Sequence, residues 1–429
     1  MRHFKEITLG DVEEFKTQLI GWAQQFDDIV WLDSNNYSQP HSSYDSILAV
    51  DAFTSIQTDA LDGFKKLNEY QSITKDWIFG YLSYDLKNDI EGLKSHNFDN
   101  LQFPDLCFFQ PKKLFLIKDH TLEIRYLNFV SDEINQDLSA IKKHSFQTIQ
   151  FSENDFKIEQ RISKKSYLNK VSTLLSHIHR GDIYEANFCQ EFYANANLNP
   201  LDTYLKLNAI AQTPFATFLK NGDKFLLSSS PERYLKKSDL EVISQPIKGT
   251  TKRSQNLNED FELKTTLADD QKERSENIMI VDLVRNDLSK IAQKGSVAVT
   301  ELCQVHSFKQ VHHMISTVQA EALPNVSPVD IIAATFPMGS MTGAPKLSAM
   351  NIIESLEETK RGLYSGAVGY FTPNGNFDFN VVIRSILYNA TNAYISFSVG
   401  SAITSKSTPE KEYEECLVKA KAMRSVLEN

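Results

Sequence analysis

The alternation of predicted strands and helices constrains the fold of this chain more than any other feature. Strand-like runs rich in aromatic and β-branched residues cover 28–33 and 77–84, and a hairpin is predicted over 114–126. A helix with regular apolar spacing covers 166–179 and is followed by Gly181, a typical C-terminal cap. Because strands and helices interleave without a regular βαβ rhythm, we predict an α+β fold with large mixed or antiparallel sheets. A barrel or a Rossmann domain is disfavoured.

A polar stretch over residues 131–163 contains the best candidate domain boundary. We therefore expect an N-terminal region over residues 1–150 and a second region over residues 160–429. In the second region, further strands are predicted at 187–193, 215–219, 225–229, 242–247, 366–371, 381–388 and 394–399. Helices are predicted over 258–288, over 345–356 and from residue 409 onward.

Charge and composition exclude several classes of protein. The chain has 45 basic and 55 acidic residues, and its net charge of −10 argues against a broad nucleic-acid surface. No apolar run reaches about 18 residues, and the first residues lack the apolar core of a signal peptide, so we expect a cytoplasmic protein without a membrane span. The cysteines are far apart and form no metal-binding motif, which indicates reduced structural thiols: Cys107, Cys189, Cys303 and Cys416.

Two pairs of carboxylates stand three residues apart in predicted helices. Glu273 and Glu276 form the first pair, and Glu412 and Glu415 form the second. Residues three apart lie on one helix face, so the two pairs could converge on a hard divalent cation such as Mg²⁺. The alternative is a solvated helix face, which is the commoner role of this pattern.

Two segments each place an ionisable side chain at the end of a predicted strand: Glu232 in Ser-Pro-Glu-Arg-Tyr and Lys248 in Gln-Pro-Ile-Lys-Gly-Thr. In its apolar setting, Lys248 could have a lowered pKa and act as a nucleophile. The alternative is a lysine that extends to the surface. Two adjacent histidines, His312 and His313, stand in another apolar segment, where one exposed and one buried ring is the ordinary interpretation.

A run rich in small residues, FPMGSMTGAPK over 336–346, leads into the helix predicted at 345–356. Small residues before a helix expose backbone N–H groups, which suit a carboxylate or phosphate. The run is not a Walker A motif, because Lys346 is followed by Leu347, so nucleotide binding is disfavoured. An anion-binding loop and a plain turn both stay open.

Taken together and in this order, the motifs resemble those of the chorismate-utilising enzymes. This family includes the first components of anthranilate synthase and aminodeoxychorismate synthase, and the isochorismate and salicylate synthases. The matching segments are GDIYEANFCQEF (181–192), SSSPERYL (228–235), PIKGTTKR (246–253), ENIMIVDLVRNDL (276–288), VHHMISTV (311–318), FPMGSMTGAPK (336–346), SGAVGYF (365–371), VVIRSILY (381–388) and STPEKEYEECLVKA (407–420). The N-terminal part is less similar, through WLDS (31–34) and FGYLSYDL (79–86).

The resemblance implies two β-sheets packed across each other with helices outside. It also implies a Mg²⁺ that binds the ring carboxylate of chorismate. Its implied ligands are Glu276 and Glu415, with Glu273 and Glu412 beside them. The resemblance assigns the second, enolpyruvyl carboxylate to Arg384, the backbone near Gly400 and Lys419. Ser340 and Glu185 are the other two residues predicted to line the substrate site.

Lys248 is the residue that discriminates between members of the family. Proteins similar to aminodeoxychorismate synthase component I carry this lysine, whereas anthranilate synthases carry alanine there. The resemblance then implies that the amine attacks C2 of chorismate, that Glu232 protonates the departing C4 hydroxyl, and that ammonia enters at C4. His313, not His312, matches the family histidine near the same hydroxyl, and Thr250 is expected to line the same pocket.

Several positions depart from the family pattern. Glu185 stands where the amine-using members have glutamine and the water-using members have lysine, so its role is open. WLDS (31–34) and AQTP (211–214) only partly match the tryptophan-binding pattern of feedback-inhibited members. We therefore predict weak or absent feedback by tryptophan.

The resemblance also implies a separate partner chain, because we identify no segment for a glutaminase or a lyase. A glutamine amidotransferase subunit would supply the ammonia, and the product would serve p-aminobenzoate and folate synthesis. Two alternatives stay open. One is anthranilate synthase component I, with Lys248 as a bystander. The other is a non-catalytic chorismate-binding subunit.

Overall fold

The computed structural model describes residues 2–37, 41–144 and 156–428. The strands of the first region are β1 (Arg2–Thr8), β2 (Asp28–Asp33), β3 (Ser46–Thr58), β4 (Ile78–Leu82), β5 (Leu106–Lys118) and β6 (Thr121–Leu127). Its helices are α1 (Val12–Ala23), α2 (Gly63–Thr74), α3 (Lys87–Glu91) and α4 (Ile134–Lys143). Short 3-10 helices lie at Tyr84–Leu86 and Asn128–Glu133.

The second region continues the alternation of strands and helices. Its strands are β7 (Glu159–Gln160), β8 (Glu185–Asn195), β9 (Phe215–Asn221), β10 (Lys224–Ser230), β11 (Arg233–Ser238), β12 (Glu241–Gln245), β13 (Ile247–Lys252), β14 (Ala298–Ser307), β15 (Val311–Glu321), β16 (Gly343–Ala344), β17 (Ala367–Phe371), β18 (Phe377–Val381), β19 (Ser385–Asn389) and β20 (Tyr394–Thr404). Its helices are α5 (Lys164–Arg180), α6 (Pro200–Ala211), α7 (Leu257–Asp269), α8 (Gln271–Ser289), α9 (Pro328–Thr335), α10 (Lys346–Leu356) and α11 (Pro409–Glu428), with a 3-10 helix at Gly339–Met341.

The first sheet is antiparallel and has the order β8-β20-β19-β10-β9-β2-β3-β5-β6-β1, with β7 and β16 on the free edge of β8. A second antiparallel sheet has the order β5-β4-β17-β18-β11-β12-β15-β14, and β13 continues beside β15 where β12 ends. The two sheets share the long strand β5. Its residues 106–109 pair with β4, and its residues 113–118 pair with β6.

Two large clusters of buried apolar side chains show how these layers pack. One joins strands of both sheets, for example Val30 and Leu226 of the first with Phe79 and Phe379 of the second. The other joins the opposite face of the first sheet to helices α1, α4, α5, α6 and α11. The architecture is therefore the predicted α+β fold of two large sheets with helices outside, and the prediction is confirmed.

Both sequence regions contribute to the shared sheets. Strand β2 pairs with β9, and β4 pairs with β17. The division at 150–160 stays a prediction about the sequence, and residues 145–155 of the predicted boundary lie outside the described residues. Among the described helices, none is long and apolar enough to span a bilayer.

Most predicted elements of the second region are present, but three are divided. The strand predicted over 242–247 covers the end of β12 and the start of β13. The helix predicted over 258–288 is two helices, because Asp270 adopts an extended conformation and its side chain caps α8. The strand predicted over 381–388 is divided between β18 and β19, with Arg384 at φ 54° between them. At that point the chain leaves the second sheet and enters the first.

A second crossing lies beside it, between β10 of the first sheet and β11 of the second, and it carries Glu232. The two crossings are bonded to each other: the Val381 N–H donates to the Glu232 carbonyl over 3.0 Å, and the Ser229 N–H donates to the Arg384 carbonyl over 3.2 Å. The fold therefore places two predicted site residues at adjacent points where the sheets meet.

Candidate active site

Lys248 is held inside the protein by an ion pair. Its Nζ donates to Oε1 of Glu185 over 2.9 Å, and the two side chains are 11% and 1% exposed. Lys248 lies on β13, while Glu185 begins β8 opposite Ala344 on one side and Thr404 on the other. Strands from different parts of the chain therefore fix both ends of this contact.

The electrostatic surroundings of Lys248 differ from the sequence prediction. Burial by itself would lower the pKa of Lys248, as we expected. The carboxylates of Glu185 and Glu276 outweigh burial and raise this pKa above its usual value. The prediction of a lowered lysine pKa was therefore wrong, because it ignored the acidic side chains that the fold brings to the amine.

Glu232 is a buried carboxyl group on the crossing between β10 and β11, and it is 4% exposed. The hydroxyl of Ser340, in the 3-10 helix Gly339–Met341, donates to its Oε1 over 2.6 Å. Burial raises the pKa of Glu232 to about 7, although the Ser340 hydroxyl and the Lys248 charge act in the opposite direction. A carboxyl group that donates a proton near neutral pH needs such a raised pKa.

The two adjacent histidines lie in different surroundings because neighbouring strand residues point to opposite faces of β15. Nδ1 of His313 is 2.8 Å from Oγ1 of Thr250, which is also its partner in the strand register. Burial, followed by the charge of Arg384, lowers the pKa of His313 to about 3. His312 instead contacts Asp260 over 3.1 Å. Both rings are buried, so the interpretation of one exposed and one buried histidine was wrong.

The two pairs of glutamates surround one lysine, Lys272, from α8, which packs on β13, and from α11, which packs on β20. Glu276 and Glu412 are buried at 7% and 2% exposure, which rules out the solvated-face interpretation for them. Ser401 on β20 donates a hydrogen bond to Glu412. Lys272 projects among the acids, with its Nζ 3.8 Å from Glu276 and 3.5 Å from Glu412. The pKa of Lys272 is raised: burial would lower it, but the charges of all four glutamates outweigh burial.

The donor chemistry of this acidic cluster fits a divalent cation. Oε1 of Glu276 is buried and accepts no hydrogen bond from any described residue. Burial and the nearby Glu273 raise the pKa of Glu276 to about 7, although the Lys248 charge opposes them. In the described ranges, no three acidic, histidine or cysteine side chains are already grouped as a metal site. Lys272 supplies the local positive charge instead.

The residues predicted to hold the second carboxylate also lie together. Nζ of Lys419 on α11 donates to the Gly400 carbonyl over 2.9 Å, and Nη1 of Arg384 is 3.4 Å from the Lys419 carbonyl oxygen. Gly400 must be small, because an added Cβ would lie 2.7 Å from Sγ of Cys189. Lys419 also pairs with Glu415 over 2.6 Å, and this partner lowers the pKa of Glu415 although burial alone would raise it.

Two lysines near the predicted site are not among the site residues that the sequence predicts. Lys272 precedes Glu276 by four residues on one helix face, a spacing that would have indicated the contact. Lys346 has a side chain that is 13% exposed, and its Nζ donates to Oδ2 of Asp287 over 2.5 Å and to the Pro337 carbonyl over 2.9 Å. No local pattern indicates this second contact, because Asp287 and Lys346 lie on separate helices.

Residues of the two segments that partly match the tryptophan-binding pattern, WLDS (31–34) and AQTP (211–214), line a separate pocket between β2, β9 and β11. Asp33 there forms a buried ion pair with Lys16 over 2.9 Å, and the hydroxyl oxygen of Ser34 finds no partner among the described residues. The expected weakness of tryptophan feedback stays a prediction.

Comparisons with known proteins agree with this geometry. The chloroplastic aminodeoxychorismate synthase of Arabidopsis thaliana is 36% identical over 379 residues, which are 82% of this chain and 41% of that protein. Anthranilate synthase component 1 of Acetivibrio thermocellus is 33% identical over 370 residues, which are 81% of this chain and 74% of that protein. The crystal structure of anthranilate synthase component I from Streptococcus pneumoniae TIGR4 is similar with a TM-score of 0.79 and 26% identity, covering 90% of this chain and 95% of that chain.

This chain therefore spans about two fifths of the length of the Arabidopsis relative. The relatives carry two different names, aminodeoxychorismate synthase and anthranilate synthase component 1. A family model described as chorismate binding enzyme matches residues 27–425, which is nearly the whole chain. The chain belongs to the family of chorismate-binding enzymes.

Proposed function

We propose that this chain is the chorismate-aminating component of an aminodeoxychorismate synthase, which converts chorismate and ammonia to 4-amino-4-deoxychorismate. The buried Lys248 carries the proposal. It lies close enough to Glu232 for its charge to act on the pKa of that carboxyl group. A candidate nucleophile and a candidate proton donor thus lie near each other in the protein.

Each residue has a role that follows from its chemistry. The amine of Lys248 attacks C2 of chorismate while Glu232 protonates the C4 hydroxyl, which leaves as water. Ammonia then attacks C4, and the bond between Lys248 and C2 breaks. The raised pKa of Glu232, about 7, lets this carboxyl group carry a proton near neutral pH. His313 stays neutral and accepts or donates one hydrogen bond through each ring nitrogen.

The anionic groups of the substrate need positive partners. Glu276 and Glu415, with Glu273 and Glu412 beside them, would hold a Mg²⁺ that supplies charge for the ring carboxylate. Arg384 and Lys419 would bind the enolpyruvyl carboxylate, because a guanidinium suits a carboxylate through two parallel hydrogen bonds. A glutamine amidotransferase subunit is the proposed source of ammonia.

Anthranilate synthase activity is the second candidate, and the similarity to the Acetivibrio and Streptococcus proteins favours it. In that case Lys248 would not react, and ammonia would enter at C2. The ion pair of Lys248 with a buried glutamate argues for the first candidate, because burying an amine among acids serves no evident purpose in a reaction that does not use it.

Product analysis separates the two candidates. Purified protein is incubated with chorismate, MgCl2 and ammonium chloride, and the products are identified by chromatography and mass spectrometry. Aminodeoxychorismate supports the proposal, whereas anthranilate supports the second candidate. Unchanged chorismate with wild-type protein contradicts both.

A pair of variants then tests the role of the lysine. Lys248→Ala should lose at least about 100-fold in turnover, as expected for a covalent nucleophile. Lys252→Ala is the matched control, because Lys252 is an exposed lysine on the same strand. Wild-type turnover by Lys248→Ala would exclude the covalent route.

A further inference from the structure

The ion pair between Lys248 and Glu185 poses a chemical problem. A protonated lysine has no lone pair, so it cannot attack a carbon atom. Glu185 at 2.9 Å holds the proton on Nζ, and the charge of Glu276 acts in the same direction. A group beside the amine must therefore remove this proton when chorismate is bound.

Glu185 is the group placed to do so. Its Oε1 already accepts the hydrogen bond from Nζ, and its Oε2 is buried without a hydrogen-bond partner among the residues described. This second oxygen is therefore available as an acceptor inside the protein, beside the amine that must lose a proton. The backbone of Glu185 pairs with β16 on one side and with β20 on the other. These pairings keep its carboxylate in contact with Nζ of Lys248.

The other acids near Lys248 have different positions or different tasks. The charges of Glu232, Glu273, Glu276 and Glu415 all interact with the lysine. In the part of the chain that the structure describes, Glu185 alone is within 4.0 Å of its Nζ. Glu232 cannot serve, because it must give a proton to the leaving hydroxyl in the same step. The remaining three belong to the acidic cluster around Lys272.

We propose that Glu185 is a catalytic residue that accepts the proton of Lys248 before the attack on chorismate and returns it after the lysine departs. This inference rests on the proposed function. It also gives a role to the position where the chain departs from the glutamine typical of amine-using members.

Over one turnover, every bond that forms is matched by one that breaks, and each side chain ends with the protons that it had at the start. Glu185 takes a proton from the ammonium of Lys248, and the freed lone pair forms the C2–N bond while the ring π electrons shift and the C4–O bond breaks. Glu232 protonates the departing hydroxyl to give water. Ammonia forms the C4–N bond, the reverse shift breaks C2–N, and the neutral amine of Lys248 regains its proton from Glu185. The new C4 ammonium group gives a proton to Glu232.

The proposal predicts an unusual pH dependence for the wild-type protein. Because the proton passes within the pair, formation of the lysine adduct needs no loss of a proton to solvent. Wild-type protein mixed with chorismate and MgCl2 without ammonia should gain the mass of chorismate minus water on Lys248. Glu232, with its pKa of about 7, stays mostly protonated below that value, so the rate should change less than threefold between pH 5.0 and pH 6.5. A rate that rises tenfold per pH unit in wild-type protein would overturn the proposal, and this measurement needs no variant.

Glu185→Gln tests the same point in the complete reaction with ammonium. The amide keeps the size of the side chain and an oxygen that accepts from Nζ, but it cannot take a proton. We expect kcat to fall about 100-fold at pH 6, within the range of general bases. Between pH 5.0 and pH 6.5, where Glu232 stays mostly protonated, kcat of this variant should rise about tenfold per pH unit as the lysine loses its proton to solvent. Glu185→Asp, which keeps a carboxylate, should restore the flat profile at a lower rate.

Two results for Glu185→Gln contradict the inference: an unchanged kcat, or a decrease by the same factor at every pH. Both would show that Glu185 only positions Lys248. The proposed function fails separately. If wild-type protein makes no aminodeoxychorismate, or if Lys248→Ala makes it normally, the function is wrong whatever Glu185 does.

Discussion

The hydroxyl of Ser340 donates a hydrogen bond to Oε1 of Glu232 over 2.6 Å, although the two residues are 108 positions apart. Ser340 lies in the small-residue run whose role the sequence left open between an anion loop and a turn. In the fold, this run contacts the carboxyl group that we propose as the proton donor. The bond stabilises the carboxylate form and so limits how far burial raises the pKa of Glu232.

Removing the Ser340 hydroxyl should therefore move the pH dependence of turnover. In Ser340→Ala the pKa of Glu232 should rise above about 7, because one donor to its charged form is lost. Turnover needs the protonated acid, so the decline in kcat at alkaline pH should shift to higher pH. Ser355→Ala, an exposed serine on α10, is the control and should leave the profile unchanged. A shift to lower pH would contradict the assignment of Glu232 as the proton donor.

Glu232 should also make stability depend on pH. Its folded pKa of about 7 lies above the ordinary value of 4.5, so the folded state holds a proton that the unfolded state loses. The contribution of Glu232 to the free energy of unfolding therefore falls as pH rises from about 4.5 to 7. Glu232→Gln never ionises, so its stability relative to wild type should increase by up to about 3 kcal/mol between pH 4 and pH 8.

Urea unfolding of both proteins at a series of pH values measures this difference. A difference that stays constant across the series would show that Glu232 is not held protonated in the folded protein.

The ion pair of Lys248 and Glu185 should behave as an interdependent buried unit. Lys248→Met leaves a buried carboxylate without its partner and should lower the free energy of unfolding by about 3 kcal/mol. The double variant Glu185→Gln with Lys248→Met removes both charges and should recover to within about 1 kcal/mol of wild type. Urea unfolding of wild type, both single variants and the double variant measures the interaction energy. Additive losses would contradict a direct pair.

Lys272 should compete with a divalent cation for the acidic cluster. Lys272→Met removes the ammonium 3.5 Å from Glu412, so the affinity for MgCl2 in calorimetry should rise on the order of tenfold. Lys411→Met also removes a positive charge beside Glu412 but from an exposed position, and it should change the affinity less than twofold. A weaker affinity in Lys272→Met would show that the lysine supports cation binding.

The lysine at the start of α10 should stabilise the run that carries Ser340. Lys346→Met leaves Asp287 buried without its closer partner, and we expect a loss of about 3 kcal/mol in urea unfolding. Lys290 pairs with the same carboxylate over 2.9 Å but is half-exposed, so Lys290→Met should cost less than about 1 kcal/mol. Equal effects of the two variants would mean that burial does not decide the strength of this contact.

Much of the architecture was predictable because its signals are local. The strand over 28–33 and the helix ended by Gly181 follow from residue type and spacing, and both are present. The division of the predicted long helix at Asp270 could also have been predicted, because aspartate is a common N-cap. The apolar spacing continues through this point, and for that reason one helix was predicted. The positive φ of Arg384, 54°, could not be predicted from the sequence. It occurs where the chain crosses between the sheets, and that crossing depends on strands far apart in sequence.

The sequence by itself determined which side chains are candidates for the chemistry: the amine of Lys248, the acid of Glu232 and the paired glutamates of two helices. Only the tertiary structure decided their charge states and partners. Glu185 is 63 residues from Lys248 in sequence, yet it contacts the amine and reverses the effect of burial on its pKa. The physical reason is that the pKa of a group depends on burial and on charges within a few ångströms, and long-range packing determines both.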